Sequence, residues 1–588
     1  MSSEVAAHGS RWRRWLPGLA VLLGYRRAWL RGDLLAGVTV AAYLVPQVMA
    51  YAAVAGLPAQ IGLVSCIGPF LGYALLGSSR QLSVGPESTV ALMTAAGVGA
   101  MVEVVGPDRY AEVAALLAVT VGLVCLLGFL GRLGFLATFL SRPVLIGYLA
   151  GVAALMVIGQ LGTTLGIQVT GATTAEQLMS LAHQLGRVDL ATVVLSGTVL
   201  VALLVLRRLA PSWPGPLLVI VAASLVVWLI GAQRLGISLI GSLPPGLPAP
   251  RIPSAAGIPL ALLVPAAIGI GLVSYSDNIL NGRAFADPDL DLDPTQEFLA
   301  LGVANLAAGV SQGFPVSSSS SRTALGDAMG SRTQLHSLVA IGAIVATVYL
   351  LGDGLAQFPS AALGAVVVYA AIQLVDLGEW RRVARFRFSE ALLAAATALV
   401  VIFVGVLAGI GIAVGLSVLD LLRRMARPHD GILGYVPGLA GMHDIDDYPG
   451  AAQVPGIVVY RYDCPLFFAN ADDFLARANR AVAEAAGPVR WFLLNAEAIV
   501  EIDLTAVDAL ERLRQDLAAR GTQFAMARVK QDLRIQLEAA GFVDRVDSER
   551  IFPTLPTAMA AYARWVDTHH DIHLDLPPGA VHPPADEG

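Results

Sequence analysis

The chain has 588 residues, of which 56% are hydrophobic and 14% are charged, and its mean hydropathy is +0.68. This composition excludes a soluble enzyme of this length and predicts a protein that crosses a membrane many times. The net charge of −6, with basic residues scattered instead of pooled, argues against a nucleic-acid partner. Three dispersed cysteines are too few for a disulfide framework or a metal site.

Residues 1–30 carry several arginines around a short mixed stretch. They lack a clean apolar core followed by a cleavage site, so we expect a retained cytoplasmic N-terminal arm. Residues 34–79 then contain no charge and are too long for one span of about 20 residues. Gly56-Leu57-Pro58 interrupts this stretch, which predicts two helices.

Twelve further apolar segments follow inside the predicted transmembrane domain, residues 31–427. They cover residues 88–101, 113–131, 143–162, 190–206, 216–230, 258–280, 298–310, 319–329, 335–351 and 361–375, with two short helices in 391–419. The total is fourteen spans, seven in each half, and a repeat with an odd number of spans has inverted topology. With the N-terminus inside, basic loops should follow the even-numbered spans, and they do at 132–142, 207–208, 381–387 and 423–424.

One polar stretch interrupts the second half, with five consecutive serines followed by Arg322. Pro315 disfavours helix before it and serine favours N-caps, so a helix should begin near Ser319 or Ser320 with free N–H groups. Such an end carries roughly half a positive charge and attracts anions. We therefore predict an anion site at Ser319, Ser320, Ser321 and Arg322, with Arg322 facing a wet cavity. An external polar loop is the alternative, because hydropathy does not fix depth.

A similar element occurs in the first half of the chain. Ser88-Thr89-Val90-Ala91-Leu92 opens the third segment, and Ser321-Arg322-Thr323-Ala324-Leu325 lies in the tenth, each a few residues after a proline. Short helices at corresponding places in two halves are where a transporter site is expected, so Ser88 and Thr89 belong to the predicted anion site. Chance similarity is the alternative, since small residues are common in membrane helices.

Polar pairs at helical spacing lie inside two other segments. Gln47 and Tyr51 are four residues apart in the first segment, where they either bind the anion or hold two helices together. Asp277 and Asn281 share one face of the eighth segment, where a carboxylate needs a cation, a proton or an arginine. We predict that they form the ion-coupling site; a structural ion pair of Asp277 with Arg322 is the alternative.

The alternating aspartates of residues 287–293 have the spacing of a calcium loop. The sixth position, however, is Leu292 instead of glycine, and the twelfth is Phe298 instead of glutamate. We therefore expect a solvated cytoplasmic loop and no metal site.

Beyond Pro428 the composition becomes that of a soluble module, in which strand-like segments alternate with helix-like ones. This predicts a small cytoplasmic α/β domain over residues 452–568. Thr505, near the start of one predicted helix, is a candidate phosphoacceptor, although a structural role at the helix start is favoured. The tail, residues 569–588, is rich in Pro, Asp and His and is expected to be disordered.

Taken together, several motifs resemble the sulfate permease (SulP) family of anion transporters. They are Pro46-Gln47 with Met49-Ala50-Tyr51-Ala52, Gly56-Leu57-Pro58, Gly77-Ser78-Ser79-Arg80-Gln81-Leu82 with Val84-Gly85-Pro86, and Ser321-Arg322-Thr323. Leu466-Phe467-Phe468-Ala469-Asn470 and Ile502-Asp503 resemble the STAS domain of that family. The resemblance covers about residues 34–560.

The resemblance implies an all-α membrane domain of fourteen spans in a core and gate arrangement, an anion between the third and tenth half-helices, and a homodimer. It matches Asp277 to an acidic position tied to cation coupling. Asn281 stands where sodium-coupled members tend to carry a hydroxyl residue, which argues against sodium coupling. The residues that match anion-site positions are Gln47, Tyr51, Ser319, Ser321 and Arg322.

We therefore expect a secondary active anion transporter of a cell inner membrane, with cytoplasmic termini, no cofactor and no enzymatic activity. The first expectation is proton-coupled sulfate uptake by alternating access. A sodium-coupled bicarbonate or dicarboxylate transporter is the alternative, and a membrane-anchored STAS signalling scaffold is the alternative of another class. The expected partners are sulfate or bicarbonate, a coupling proton or sodium ion, membrane lipid and a second copy of the chain.

Overall fold

The structure, a computed structural model, describes residues 15–134, 142–171, 173–210, 213–231, 236–241, 246–285, 292–570 and 574. Half of the predicted N-terminal arm, most of the aspartate-rich loop and most of the predicted tail lie outside the described residues. The chain divides into two compact units, Met1–Ser417 and Val418–Gly588.

Among the described residues, fourteen helices stand at the positions of the fourteen predicted spans, and we number them α1 to α14 in chain order. They are Leu30–Val54, Ala59–Leu76, Ser88–Val105, Tyr110–Leu130, Arg142–Leu165, Leu190–Leu209, Gly215–Ile230, Leu260–Ala284, Pro294–Val310, Ser320–Ala328, Leu335–Leu350, Ser360–Leu374, Phe388–Val404 and Val406–Ala426. Eight helical segments are long and apolar enough to cross a membrane, and α7, α11 and α13 are shorter apolar helices. α14 is longer than the short helix predicted there.

The predicted break between α1 and α2 falls at Gly56, which has a positive φ of 73°. A Cβ atom at this position would lie 2.7 Å from the Tyr110 hydroxyl oxygen, so the turn requires glycine. Pro58 then precedes the first residue of α2. The uncharged stretch therefore forms two helices, as predicted.

Short helices connect the long ones and were not predicted, because most lack an apolar stretch of spanning length. Thr174–Gln184 starts with a capping box formed by Thr173 and Glu176, and Leu377–Phe386 is capped by Asp376. The remaining short helical segments of this unit are Pro17–Leu23, Arg27–Trp29, Pro107–Arg109, Leu185–Arg187 and Gly352–Ala356.

Several helix contacts in the first unit have an equivalent contact between the corresponding helices of the other half. Helix α1 packs against α10 and α11, while its counterpart α8 packs against α3 and α4. The contact of α5 with α13 likewise corresponds to that of α12 with α6. These contacts therefore recur when the first seven helices are exchanged with the last seven, as expected for the predicted inverted repeat.

Two short strands join the halves at the centre of this packing. β1 (Val84–Gly85) pairs antiparallel with β2 (Ser317–Ser318), and a hydrogen bond from the Ser319 amide to the Ser83 carbonyl (3.1 Å) extends the pairing. Because α3 begins just after β1 and α10 just after β2, the N-termini of both helices lie beside this link. α10 begins at Ser320, where the proline and serines predicted a helix start.

The second unit is an α/β domain, as predicted, built on a six-stranded sheet of order β4-β3-β5-β6-β7-β8. Its strands are β3 (Asp430–Tyr435), β4 (Met442–Asp444), β5 (Ile457–Tyr462), β6 (Trp491–Asn495), β7 (Gln523–Ala527) and β8 (Ile551–Phe552). The helices are α15 (Ala471–Ala483), α16 (Leu504–Ala519), α17 (Gln531–Ala539), α18 (Phe542–Val546) and α19 (Leu555–His570), with a 3-10 turn at Ser548–Arg550.

Strands β5 to β8 are parallel, whereas β3 pairs antiparallel with both β4 and β5. β3 and β4 precede residue 452, where we expected the domain to start. The sequence did not indicate them because they form a hairpin, which lacks the crossover helix that marks a parallel strand. Thr505 is exposed in the first turn of α16. The structural role at this helix start belongs to Asp503, which accepts a hydrogen bond from the Ala506 amide (2.9 Å).

Candidate anion site

A cavity of about 450 Å³ lies inside the first unit, where helices of both halves meet. Its lining residues are Tyr43, Gln47, Tyr51, Glu87, Ser88, Thr89, Leu145, Leu149, Arg207, Asp277, Leu280, Asn281, Phe285, Ser318, Ser319, Ser320, Ser321, Ala324, Ala370, Gln373 and Leu374. The wall formed by α1, α3, α8 and α10 is mainly polar, while residues of α5 contribute apolar side chains.

Nine of the ten residues that we predicted for the anion and ion-coupling sites line this cavity. They are Gln47, Tyr51, Ser88, Thr89, Asp277, Asn281, Ser319, Ser320 and Ser321. Residues as far apart in the chain as Gln47 and Ser321 thus meet at one place. Their roles in binding and coupling stay predictions.

The N-terminus of α10 faces this cavity without a side-chain cap. Ser319 is the N-cap residue, with an extended φ of −123°, but its hydroxyl accepts no hydrogen bond from the amides of the helix. Its Oγ lies 3.2 Å from the Oγ of Ser321. A helix end of this kind presents N–H groups and partial positive charge to an anion.

The N-terminus of α3 is different, because Glu87 caps it. One oxygen of the Glu87 carboxylate accepts hydrogen bonds from the amides of Thr89 (2.7 Å) and Val90 (3.3 Å), and the other accepts one from the Ser88 hydroxyl. The helix end predicted to hold an anion therefore already holds a carboxylate.

Arg322 corrects one expectation, because its side chain is fully buried and does not line the cavity. Its Nη1 donates a hydrogen bond to the Pro86 carbonyl (2.7 Å), and its Nε donates one to the Ser83 hydroxyl (3.3 Å). The guanidinium is thus held against the segment that leads into α3. It lies between the two helix N-termini, behind the cavity wall.

Gly85 in β1 lies against this guanidinium and against the Phe70 ring. A Cβ atom at Gly85 would lie 3.5 Å from Arg322 Nη2 and 3.2 Å from the Phe70 ring. Nη2 has no hydrogen-bond partner among the described residues, and the same holds for Gln47 Oε1. Unpaired buried polar atoms are costly, so their occurrence beside a polar cavity indicates a binding site.

Asp277 projects from α8 into the cavity and is half-buried. The ion pair with Arg322 that we considered does not form between these two described residues. Nε and Nη1 of Arg322 bind Ser83 and Pro86, and Nη2 has no hydrogen-bond partner among the described residues. Asn281, one helical turn on, donates a hydrogen bond to the Ser318 hydroxyl (2.9 Å). Asn281 therefore links α8 to β2, while Asp277 remains directed at the cavity.

A second carboxylate near Asp277 has a different environment. Glu297 on α9 is fully buried and accepts hydrogen bonds from the Tyr73 hydroxyl (2.9 Å), from both the amide (2.9 Å) and the hydroxyl (2.7 Å) of Ser78, and from the Asn278 side chain. Four donors satisfy a carboxylate and tie α2, α8 and α9 together. Glu297 is a structural group, in contrast to Asp277.

Outside the run of serines, sequence reasoning missed four polar residues of the cavity: Tyr43, Glu87, Arg207 and Gln373. Two of them have a signal in the sequence. Tyr43 precedes Gln47 by four residues and so lies on the same helical face, and an acidic residue directly before a helix is a standard N-cap. Arg207 and Gln373 lie at helix ends and reach the cavity only through tertiary packing.

Comparison with known proteins covers both units. The model of the sulfate permease family matches residues 30–397, and the model of the STAS domain matches residues 448–558. A probable sulfate transporter of Mycobacterium tuberculosis (strain ATCC 25618 / H37Rv) is 54% identical over 554 residues, which cover 94% of this chain and 98% of that protein. Sulfate transporter 4.1, chloroplastic, of Arabidopsis thaliana is 30% identical over 568 residues, with coverages of 92% and 82%.

Solved structures with the same fold are more distant in sequence. The murine Solute Carrier 26 family member A9 anion transporter in the inward-facing state matches with a TM-score of 0.86 at 20% identity, over 95% of this chain and 94% of that chain. The transmembrane domain of a cyanobacterium bicarbonate transporter, BicA, matches with a TM-score of 0.58 at 21% identity, over 67% and 98%. These likenesses establish the fold alone. The family model and the relatives show that the chain belongs to the sulfate permease family, as an integral membrane anion transporter with a C-terminal STAS domain and not an enzyme.

Proposed function

We propose that the protein imports sulfate together with protons across a cell inner membrane by alternating access. The observation that carries this proposal is the meeting of two helix N-termini, those of α3 and α10, at one polar cavity. Each end contributes about half a positive charge and the Arg322 guanidinium between them adds a full one, while the Glu87 carboxylate opposes the charge at the α3 end as long as it caps that helix. This arrangement favours a dianion such as sulfate.

Hydroxyl and amide donors are the groups that an oxyanion requires. Ser88, Thr89, Ser319, Ser320 and Ser321 supply hydroxyls at the cavity wall. Gln47 and Tyr51 face them from α1, and rotation of the Gln47 carboxamide by half a turn presents either its nitrogen or its oxygen. The choice of sulfate rests on the M. tuberculosis relative, whose name is probable sulfate transporter.

Asp277 is the proposed coupling group. A carboxylate inside a membrane domain needs a proton or a cation, and Nε and Nη1 of Arg322 bind Ser83 and Pro86 instead of Asp277. Because Asp277 lines the same cavity as the anion donors, a proton on Asp277 reduces the repulsion that a bound dianion meets. Proton and anion binding then favour one another, which is the requirement for symport.

Alternating access requires two arrangements of the helices around one site. The inverted repeat provides related halves whose exchange yields the opposite arrangement. Cytoplasmic termini and a homodimer complete the proposal and follow from the basic loops and from family likeness.

Uptake of radiolabelled sulfate into vesicles that contain the purified protein tests the proposed function. We expect an inward proton gradient to drive accumulation, since Asp277 loads its proton on the acidic side and releases it on the other. Unlabelled bicarbonate and dicarboxylates are expected to compete weakly. Accumulation driven by a sodium gradient and not by protons, or uptake of bicarbonate in preference to sulfate, would contradict the proposal.

Deletion of the chain after Pro428 is expected to lower activity or assembly and to leave anion preference unchanged. All residues that line the cavity belong to the first unit, so the deletion removes no anion donor. The measurement is the ratio of sulfate to bicarbonate inhibition constants in vesicles, for the truncated and the full-length chain. A shifted ratio would assign part of the selectivity to the STAS domain.

A further inference from the structure

Glu87 occupies the helix end that an anion at α3 would use. Its carboxylate binds the amides of Thr89 and Val90 and the Ser88 hydroxyl, which are the donors of that end. The side chain is only half-buried and lines the cavity, so it has open space beside it. A bound oxyanion and the Glu87 carboxylate therefore require the same hydrogen-bond donors.

The two helix ends differ in this respect. At α10 the side chain of the N-cap residue Ser319 accepts no hydrogen bond from the amides of the helix, so Ser319 does not take the place of an anion there. Arg322, in the first turn of α10, keeps Nη2 without a partner among the described residues and is fully buried. The N-terminus of α10 is open to an anion, whereas the N-terminus of α3 is occupied by the Glu87 carboxylate.

We propose that Glu87 is an internal competitor for the anion and a determinant of affinity and specificity. Its carboxylate holds the α3 end while the site is free, and sulfate displaces it to reach both helix ends. The proposal rests on the proposed sulfate site. Because like charges repel at close distance, a bound anion and the Glu87 carboxylate do not share the α3 end. An anion displaces the carboxylate only if it has enough charge and enough acceptor oxygens to bind the same donors.

Among the described residues, the hydrogen bonds to the Glu87 carboxylate come from helix amides and one hydroxyl and not from a cation. The charged or titratable side chains that line the cavity with Glu87 are Tyr43 and Tyr51 on α1, Arg207 on α6 and Asp277 on α8. The hydrogen bonds of Arg322 go to Ser83 and Pro86. Glu87 is thus retained by helix amides and one hydroxyl, which a stronger acceptor displaces.

An internal competitor lowers affinity and speeds release. Displacing Glu87 consumes part of the binding free energy of sulfate, and the return of the carboxylate assists the departure of the anion. Removal of the charge should consequently have opposite effects on binding and on turnover. A carboxylate that only caps α3 would not produce this combination.

The test is sulfate binding and saturated sulfate exchange by the full-length protein with Glu87→Ser. Serine is a neutral residue that still caps a helix, so the start of α3 is kept. We expect the dissociation constant for sulfate to fall by about tenfold or more and the saturated exchange rate to fall as well. Glu87→Gln, similar in size to glutamate, is the second neutral variant if Glu87→Ser folds poorly.

Two matched variants control the measurement. Glu87→Asp keeps a capping carboxylate and should not show the tenfold gain in sulfate affinity expected of the neutral variants. Glu103→Gln neutralises an exposed glutamate near the other end of α3 and should change neither quantity. Unchanged or weaker sulfate binding in folded Glu87→Ser or Glu87→Gln overturns the proposal for Glu87 alone. Failure of the wild type to bind sulfate overturns the proposed function with it.

Discussion

Replacing Arg322 by alanine is expected to weaken sulfate binding by about 10- to 100-fold, the range that loss of a charged donor at a buried site produces. The guanidinium lies between the N-termini of α3 and α10, where it bonds to the Pro86 carbonyl and the Ser83 hydroxyl. Without it, the helix dipoles alone oppose the charge of a dianion. The measurement is the dissociation constant of sulfate for the purified variant.

Loss of these hydrogen bonds also affects the fold, so thermal stability must be measured beside binding. Pro86 and Ser83 lose their donor in Arg322→Ala, and we expect a lower melting temperature but a normally assembled protein. Arg322→Lys restores the charge without the fork of donors and should bind sulfate with intermediate affinity. Arg332→Ala removes an exposed arginine ten residues away and is the matched control for net charge. If folded Arg322→Ala bound sulfate with wild-type affinity, Arg322 would not contribute to the anion site.

Replacing Asp277 by asparagine is expected to abolish accumulation of sulfate while preserving its binding. Asparagine has the size of aspartate but does not titrate, so position 277 is permanently neutral in the variant. Sulfate exchange between the two sides of a vesicle should persist. Under an imposed proton gradient the ratio of internal to external sulfate should stay at about one, because binding of the anion is no longer linked to a proton.

The control for this prediction is Asp353→Asn, which neutralises an exposed aspartate in the short helix Gly352–Ala356 and should accumulate sulfate normally. Exchange and accumulation are measured in the same vesicles, so a general loss of activity is separated from a loss of coupling. Wild-type accumulation by Asp277→Asn would mean that Asp277 has a structural role only. Loss of both exchange and accumulation would place Asp277 in the anion site.

The helices were predictable because their signals are local. Uncharged stretches of spanning length need no tertiary information, and Gly56-Leu57-Pro58 marks the break between α1 and α2 by backbone chemistry. The start of α10 at Ser320 follows in the same way from a proline and a run of serines. Nine of the predicted residues line one cavity, and the sequence singled them out because polar groups inside apolar segments are rare and expensive.

The direction of the Arg322 side chain was not predictable from these signals. Water in a cavity and acceptors of the protein can both satisfy the hydrogen-bonding groups of a buried guanidinium. The pairing of β1 with β2 brings the acceptors into reach, and it is not visible in the sequence. Gly85 lies against both Phe70 and Arg322, and this contact appears only once the chain is folded. Strands β3 and β4 were missed for a related reason, since short edge strands carry little pattern of their own.

The Glu87 cap shows the limit of a resemblance between the two halves. Ser88-Thr89 and Ser321-Arg322 suggested equivalent helix ends, but the residue before each helix differs, Glu87 in one and Ser319 in the other. Both helix N-termini therefore face the cavity, but the end of α3 is capped by a carboxylate and the end of α10 is open. A comparison of motifs that begins at the first helical residue overlooks this difference.

A structure of the protein with bound selenate would show whether the anion binds where α3 and α10 begin. Selenate has the shape and charge of sulfate, and its selenium atom is located by anomalous scattering. We predict one strong selenium peak within hydrogen-bond reach of Ser88, Thr89 and the first turn of α10, with the Glu87 side chain moved away from those donors. A peak elsewhere in the first unit, with this cavity empty of selenium at saturating selenate, would contradict the account.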